Sequence, residues 1–249
     1  MINFILISIT VFVFVVICIL IFMSIMNTSK IEKFELESPK MQLIQYPQTK
    51  PISIGGRTSS TSFSGYLKQT FISKNKTYTI DYSSYYADIY LPMQFFDYDI
   101  NPEKAGGHFG LSLYNTFNGV YTGTNIFPLL ANTNENKGDW ISINLPNTTV
   151  IKRYGFIARK DLECRAPGAW KLFGYNNGSN NPTLIDEQVE RIQGSEYYNN
   201  NFMYVKNILN NTNIFDSYAF VFKKTADSSI NTQHGYMINF TQILLFGDR

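Results

Sequence analysis

The stretch from Phe4 to Met26, FILISITVFVFVVICILIFMSIM, has no charge, no proline and no glycine, and it restricts what the chain can become more than any other segment. At 1.5 Å per residue its about 23 residues reach roughly 35 Å, which crosses a hydrocarbon layer of about 30 Å. Inside lipid the backbone must satisfy its own polar groups, so the run is expected as a helix despite its β-branched residues. A cleaved signal peptide would need a basic start, an apolar core of about 7–15 residues and a small-residue cleavage site. Here Met1-Ile2-Asn3 carries no Lys or Arg, the apolar run is longer, and no A-x-A pattern follows. Residues 1–26 are therefore expected to be a single transmembrane anchor.

Orientation follows from the flanks. Lys30, Lys33 and Lys40 lie after the run and no basic residue precedes it. The positive-inside rule counts these and largely ignores the neighbouring Glu32, Glu35 and Glu37, so the C-terminal part is expected to face the cytosol. Of the two cysteines, Cys18 is in the apolar run and Cys164 stands alone beyond it. No disulfide can form within the folded part, which agrees with a reducing compartment. The N-x-[ST] sequons at Asn75, Asn147, Asn177, Asn210 and Asn239 point the other way. A chain this rich in Asn, Ser and Thr produces about that many by chance.

Residues 27–62 read as a linker or arm. Pro39, Pro47 and Pro51 preclude a long helix, and Gly55-Gly56 and a Ser/Thr run follow. Composition leaves open whether this is a flexible spacer or an extended arm that orders against a neighbour. From 63 to 249 the chain is rich in Tyr, Phe, Ile, Thr and Asn, which favours pleated, half-buried surfaces. Short apolar-aromatic runs alternate with Asn/Gly/Asp/Pro loops. In Trp140–Leu145, Ile141, Ile143 and Leu145 fall on one face, and in Tyr218–Phe222 the large rings Tyr218, Phe220 and Phe222 share one face. Met237 to Phe246 is a long final strand candidate, and Ile185–Ile192 reads as a short helix or another strand. Such strands between turn signals indicate an all-β sandwich or jelly roll. Charged residues are 16% and the net charge is +2, too balanced for an electrostatic nucleic-acid binder.

The order of motifs resembles a known family. Gly138-Asp139-Trp140-Ile141-Ser142-Ile143-Asn144-Leu145-Pro146 resembles the "G-E-W-I-x-I-x-L-P" strand of discoidin (coagulation factor 5/8 type C) domains. Arg165-Ala166-Pro167-Gly168-Ala169-Trp170-Lys171-Leu172-Phe173-Gly174 resembles the family's "R-x-P-x-x-W-x-L-x-G", and Ile243-Leu244-Leu245-Phe246-Gly247 its closing "E-I-x-L-y-G". Weaker pieces at Asn75–Tyr78, Phe96-Asp97, Asn177-Gly178 and Tyr218–Phe220 fall in the same order. The resemblance spans about Gly65 to Gly247. It implies a galactose-binding-like jelly-roll sandwich, with Trp140, Arg165, Pro167, Trp170, Gly174 and Gly247 as its fold-motif residues. In detail the chain looks most like diverged copies in large DNA viruses. A Trp expected after Phe96-Asp97, another after Asn177-Gly178, and the family's terminal disulfide are absent, so the resemblance implies the fold more firmly than a glycan or phospholipid ligand. Independently of the family, Trp140 and Trp170 read as packing residues or as a sugar platform. Arg165 reads as a loop-holding group or as a contact for an anion.

No catalytic pattern stands out. A Cys164–His108 or Cys164–His234 dyad has no local nucleophile motif to support it. No zinc spacing, G-x-S-x-G, Walker A or G-x-G-x-x-G occurs. Asp97 and Asp99 could help hold a structural Ca²⁺ but do not make an oxygen cage alone, so no cofactor is expected. The leading expectation is a non-catalytic, membrane-anchored structural protein, a virion minor capsid or inner-membrane-associated component linking lipid membrane to capsid proteins. The alternative is an outward-facing, lectin-like attachment protein that binds glycans or lipids, and a glycan-acting enzyme comes third.

Overall fold

The computed structural model describes residues 43–54, 63–86, 90–104, 106–110, 113–227 and 237–248. The expected anchor, Phe4 to Met26, lies outside these residues, as does His234. Among the described residues no helix is long and apolar enough to cross a membrane.

Ten strands build a sandwich: β1 (Ile44–Tyr46), β2 (Ile52–Ile54), β3 (Phe63–Ser73), β4 (Lys76–Tyr85), β5 (Asp139–Ile157), β6 (Pro167–Tyr175), β7 (Thr183–Gln188), β8 (Met203–Asn207), β9 (Phe215–Thr225) and β10 (Gln242–Asp248). Among the described residues there is one short α-helix, α1 (Gly194–Asn199), which starts with a reciprocal capping box between Gln193 and Glu196. The larger sheet runs β2-β3-β4-β5-β9-β6-β7 and the smaller β1-β10-β5-β8. The paired strands are antiparallel.

β5 belongs to both sheets. Its first half, Asp139–Asn144, pairs with β9 and, through Ile141–Asn144, with β4 in the larger sheet. Its second half pairs with β10 and β8 in the smaller one. The register with β9 shifts between Asn144 and Thr149, around Pro146, which has no N–H to give to a ladder. The expected alternation holds: Ile141, Ile143, Leu145, Tyr218, Phe220 and Phe222 all belong to the core between the sheets. Phe156 sits at its centre, with ring centroids 4.9 Å from Trp170, 5.2 Å from Phe220 and 5.6 Å from Phe240. Edge-to-face contacts of this kind add to the burial itself.

In two segments the structure takes one of the alternatives that the sequence left open, and in a third it differs from the expectation. Part of the expected arm forms β1 and β2, which extend the smaller and the larger sheet by pairing with β10 and β3. Ile185 lies in a strand, β7, that ends at Gln188. The final strand begins at Gln242 rather than Met237, because Asn239 is drawn out of the ladder. It bridges to His108, and its side chain donates to the Gly107 carbonyl at 2.9 Å.

Trp170 is fully buried, and its indole N–H donates to the Tyr154 hydroxyl at 2.8 Å. Tyr154 in turn donates to the Asp186 carboxylate, which pairs with Lys206 at 2.8 Å. This relay carries the polar edge of a core aromatic out to the surface. A second polar hub lies where the loops join the larger sheet. Asp139 is completely buried, and its Oδ1 accepts from Ser84 Oγ at 2.8 Å, Ser83 Oγ at 2.9 Å and Asn125 Nδ2 at 3.0 Å. Ser83 Oγ also accepts the Trp140 N–H, and Ser84 Oγ the Gly110 N–H. Burial pushes the Asp139 carboxyl up from 3.8 to about 6, against the pull of these donors.

Two predictions follow from these hubs. Tyr154→Phe leaves the Trp170 N–H buried without an acceptor and should lower unfolding free energy by about 2 kcal/mol, read by urea denaturation. A loss under about 0.5 kcal/mol, within the range of ordinary surface changes, would contradict the relay. For Asp139 the folded carboxyl holds its proton more tightly than the unfolded one. The stability this provides is complete below the ordinary carboxylate value and is lost as pH rises through about 6. Wild type should therefore lose roughly 2 kcal/mol relative to Asp139→Asn between pH 4 and pH 7. Parallel stability curves for the two proteins would exclude this.

Candidate functional site

The outer face of the larger sheet is divided. Cross-strand register places Lys68, Asp81, Ser142, Ala219 and Phe173 in one row across β3, β4, β5, β9 and β6. The next row holds Thr79, Asn144, Ser217 and Tyr175. Register partners share a face, so the face is polar over β3–β5 and mostly apolar over β9 and β6, where Val221, Ala219, Phe173 and Tyr175 outnumber Ser217 and Lys171. The apolar half is covered by the loop after Asn125. There Phe127, Trp140, Phe173, Tyr175, Ala219 and Val221 form a second buried cluster, with Leu129 and Leu130 against it. Phe127 is the keystone, 5.3 Å from Trp140 and 5.5 Å from Tyr175 between ring centroids.

At the seam between the halves lies a cleft of about 230 Å³. Asp81, Ser142 and Asn144 form its floor, with Lys68 at one side and Phe127, Pro128, Leu129 and Tyr175 as its apolar wall. The rim is the β6–β7 turn at Asn177–Asn180. That turn is fixed: Asp216 Oδ1 accepts the Asn177 N–H at 2.9 Å, the Asp216 N–H goes to Asn176 Oδ1 at 3.2 Å, and Gly178 takes φ +84°. Ser142 is 2% exposed and Asp81 7%. Ser142 Oγ and Asn144 Oδ1 are buried without a hydrogen-bond partner. Each such group costs about 1–3 kcal/mol when left unsatisfied, so the floor has hydrogen-bonding capacity that the fold does not consume.

A larger hollow of about 560 Å³ is lined by Leu184, Ile185 and residues 207–213. Several of its polar groups are engaged. Asn211 Nδ2 donates to the Ile151 carbonyl, Asn213 N–H to Asn211 Oδ1, and Arg153 Nε to Asn207 Oδ1. The buried ammonium of Lys152 is held by the Leu209 and Asn211 carbonyls. Size alone favours this hollow; the unspent polar atoms favour the seam.

The six motif residues lie in the scaffold. Trp170 is in the core, and Trp140 is buried beneath the Phe127 wall. Pro167 opens β6, and its carbonyl accepts the Tyr197 hydroxyl at 2.8 Å. A Cβ at Gly174 would meet the Phe215 ring at 2.2 Å, and one at Gly247 would meet Thr149 at 2.5 Å and the Val150 carbonyl at 2.6 Å. Arg165 is half-buried at the end of the turn Glu163–Arg165, on the side of His108. The structure does not gather these residues into one site. The floor residues Asp81, Ser142 and Asn144 escaped the sequence reading because they look like ordinary outward positions of strands. The pattern does not tell which outward stretch a loop will roof.

The reactive groups are held in unreactive states. Burial, helped by neighbouring Glu163, pushes the Cys164 thiol up, opposite to what a nucleophile needs. Burial, with Arg159 and Arg165 nearby, pushes His108 down to about 3, so its ring is neutral. Asp97 Oδ1 accepts the Asp99 N–H at 2.9 Å, and Asp99 pairs with Lys104. Among the described residues no three His, Cys, Asp or Glu side chains gather as a metal-ligand set.

No family model matches the chain, and no curated protein matches it. Among solved structures it is similar to the family 32 carbohydrate-binding module of Clostridium perfringens NanJ in complex with galactose: 12% identity, 61% of this chain and 82% of the module covered, TM-score 0.38. It is similar to CpGH89CBM32-5 from Clostridium perfringens in complex with GalNAc-β-1,3-galactose: 13% identity, 68% and 94% covered, TM-score 0.44. It is also similar to CBM32-3 from a family 31 glycoside hydrolase of Clostridium perfringens: 13% identity, 62% and 81% covered, TM-score 0.41.

Proposed function

We propose that the chain is a binding module whose ligand is a saccharide, held in the seam cleft on the outer face of the larger sheet. One observation carries this reading. The unpartnered Ser142 Oγ and Asn144 Oδ1 lie beside the Asp81 carboxylate on one side of a narrow cleft, and an apolar wall of Phe127, Pro128 and Leu129 faces them. A sugar ring has that division, hydroxyls along its edge and C–H groups on its face. Hydroxyls both donate and accept, so one ligand can serve a carboxylate, a hydroxyl and a carboxamide oxygen together. The volume is below the roughly 300–1,000 Å³ of sites for drug-sized ligands, which fits one sugar residue with the rest of the glycan in solvent.

The cleft favours the lectin-like alternative over the membrane-to-capsid scaffold, since a scaffold has no need of unspent polar atoms in a concave seam. Glycan binding calls for a domain that faces outward, against the count of Lys30, Lys33 and Lys40. Asn75, Asn147, Asn177 and Asn210 are exposed and so present accessible sequons, whereas Asn239 is buried. A saccharide panel titrated by calorimetry tests the proposal. At least one saccharide should bind, and Ser142→Ala and Asn144→Ala should each weaken it about five- to tenfold, the worth of one hydrogen bond of about 1 kcal/mol. A panel with no binder, or variants that bind as wild type does, would overturn it.

A further inference from the structure

The rim of the seam cleft carries a sequon that the fold leaves open. Asn177-Gly178-Ser179 belongs to the turn between β6 and β7, and all three residues line the cleft with Asn144 and Phe127. The bonds that fix this turn use the backbone of Asn177 and the groups around it. The Asn177 N–H goes to Asp216 Oδ1 at 2.9 Å, and the Ser179 N–H closes the turn onto the Asn176 carbonyl at 2.8 Å. Asn176 Oδ1 accepts the Asp216 N–H at 3.2 Å. The Asn177 carboxamide takes no part in these bonds. Asn177 is exposed, and a Cβ built on Gly178 would meet nothing within 4 Å, so a bulky group has room over the turn.

The other sequons of the described residues are placed differently. Asn239 is fully buried, and its carboxamide is spent on the Gly107 carbonyl and on Arg159, each at 2.9 Å. At Asn147 the carboxamide bridges the Pro146 carbonyl at 2.9 Å and the Lys76 ammonium at 2.8 Å. Asn75 stands on the turn between β3 and β4, and Asn210 lines the larger hollow; a glycan on either would leave the seam open. Among the described residues, Asn177 is the sequon asparagine that lines the seam cleft.

We propose that Asn177 is an N-glycosylation site and that the glycan it carries shields the seam cleft from other saccharides.

The modification asks of the chain an accessible carboxamide in a sequon. Asn177 Nδ2 attacks C1 of the first sugar of a lipid-linked oligosaccharyl pyrophosphate, the donor used by the transferase. The C1–O bond breaks, one amide proton is lost, and the lipid pyrophosphate leaves. The product is a neutral amide, so the rim gains bulk and hydroxyl groups without charge. Its first sugar starts at the mouth of a cleft of about 230 Å³, a space of the size of one sugar residue. The apparent affinity for a free saccharide falls with the fraction of clefts left open, so a glycan that covers the cleft about nine-tenths of the time weakens binding about tenfold. The shielding rests on the saccharide reading of the cleft, and the modification on the outward orientation that this reading calls for.

The full-length chain, made in glycosylating animal cells and in bacteria without the transferase and kept in detergent micelles, provides the test. Peptide mass spectrometry should find a glycan on Asn177 in the animal-cell protein. Titrated with the saccharide panel, that protein should bind about tenfold more weakly than the bacterial protein. From animal cells, Asn177→Gln should bind as the bacterial protein does. So should Ser179→Ala, which keeps Asn177 and removes the sequon hydroxyl. Asn210→Gln should stay as weak as wild type. An unoccupied Asn177, or an occupied one with every form binding alike, would overturn the proposal and leave the saccharide reading standing. Recovery in Asn210→Gln instead of Asn177→Gln would overturn it as well, by placing the shield elsewhere. A bacterial protein that binds no saccharide would overturn the saccharide reading and the shielding with it.

Discussion

β5 is one strand with two sheets to satisfy, and most of the structure depends on how it meets both. Its first half must present Ile141, Ile143 and Leu145 inward while pairing with β9 and, in part, β4. Its second half must present Tyr154 and Phe156 inward while pairing with β10 and β8. A slip of one residue in either ladder would turn every one of those side chains to the wrong face. The irregular stretch between Asn144 and Thr149 uncouples the two registers, and Pro146 suits it because no ladder hydrogen bond is asked of it there. Around this strand the aromatic core assembles from both sides, with Phe156 touching Trp170, Phe220, Phe222 and Phe240.

The first half of β5 also sets the outer face. Trp140, Ser142 and Asn144 alternate with the three core residues, so they must point outward. Their neighbours on β9 and β6 are mostly apolar, Ser217 and Lys171 aside, and those on β4 and β3 are polar. A sheet face apolar on one half only needs a cover on that half only. The Phe127 segment is that cover, and its edge creates the cleft. The site is thus a consequence of partial burial: Ser142 and Asn144 lie just far enough under the cover to lose water, and the fold gives them no partner in exchange.

Much of this architecture was legible from residue order. The period-two patterns at Trp140–Leu145 and Tyr218–Phe222 gave both core faces, because large aromatics at alternate positions leave little choice. The Asn176-Asn177-Gly178 turn was legible because Gly178 needs a positive φ. β1 and β2 were not. Strands of three residues between prolines are too short to show a period, and the sheets to which they add lie far away in sequence. The start of β10 was misread since Met237–Thr241 is apolar enough to continue the strand, and only the partner at His108 and Gly107 reveals that Asn239 leaves it. The cleft was illegible for a related reason. Asp81, Ser142 and Asn144 are distant in sequence, and each looks solvated until the loop between Asn125 and Ala131 is laid over the sheet.

The electrostatic design of the domain bears on what the seam can do. Several titratable groups are held in their neutral forms. The Cys164 thiol is pushed up and the His108 ring down, and the Tyr154, Tyr197 and Tyr218 phenols are pushed up by burial. All of them are thereby neutral near pH 7. The cleft itself offers a hydroxyl, a carboxamide and one carboxylate, groups suited to reversible exchange of hydrogen bonds with an uncharged polar ligand. The buried group with a value between those of ordinary carboxylates and neutrality is Asp139. It lies behind the wall of the cleft rather than in its floor, bonded to Ser83, Ser84 and Asn125. That position keeps its charge away from whatever the floor holds.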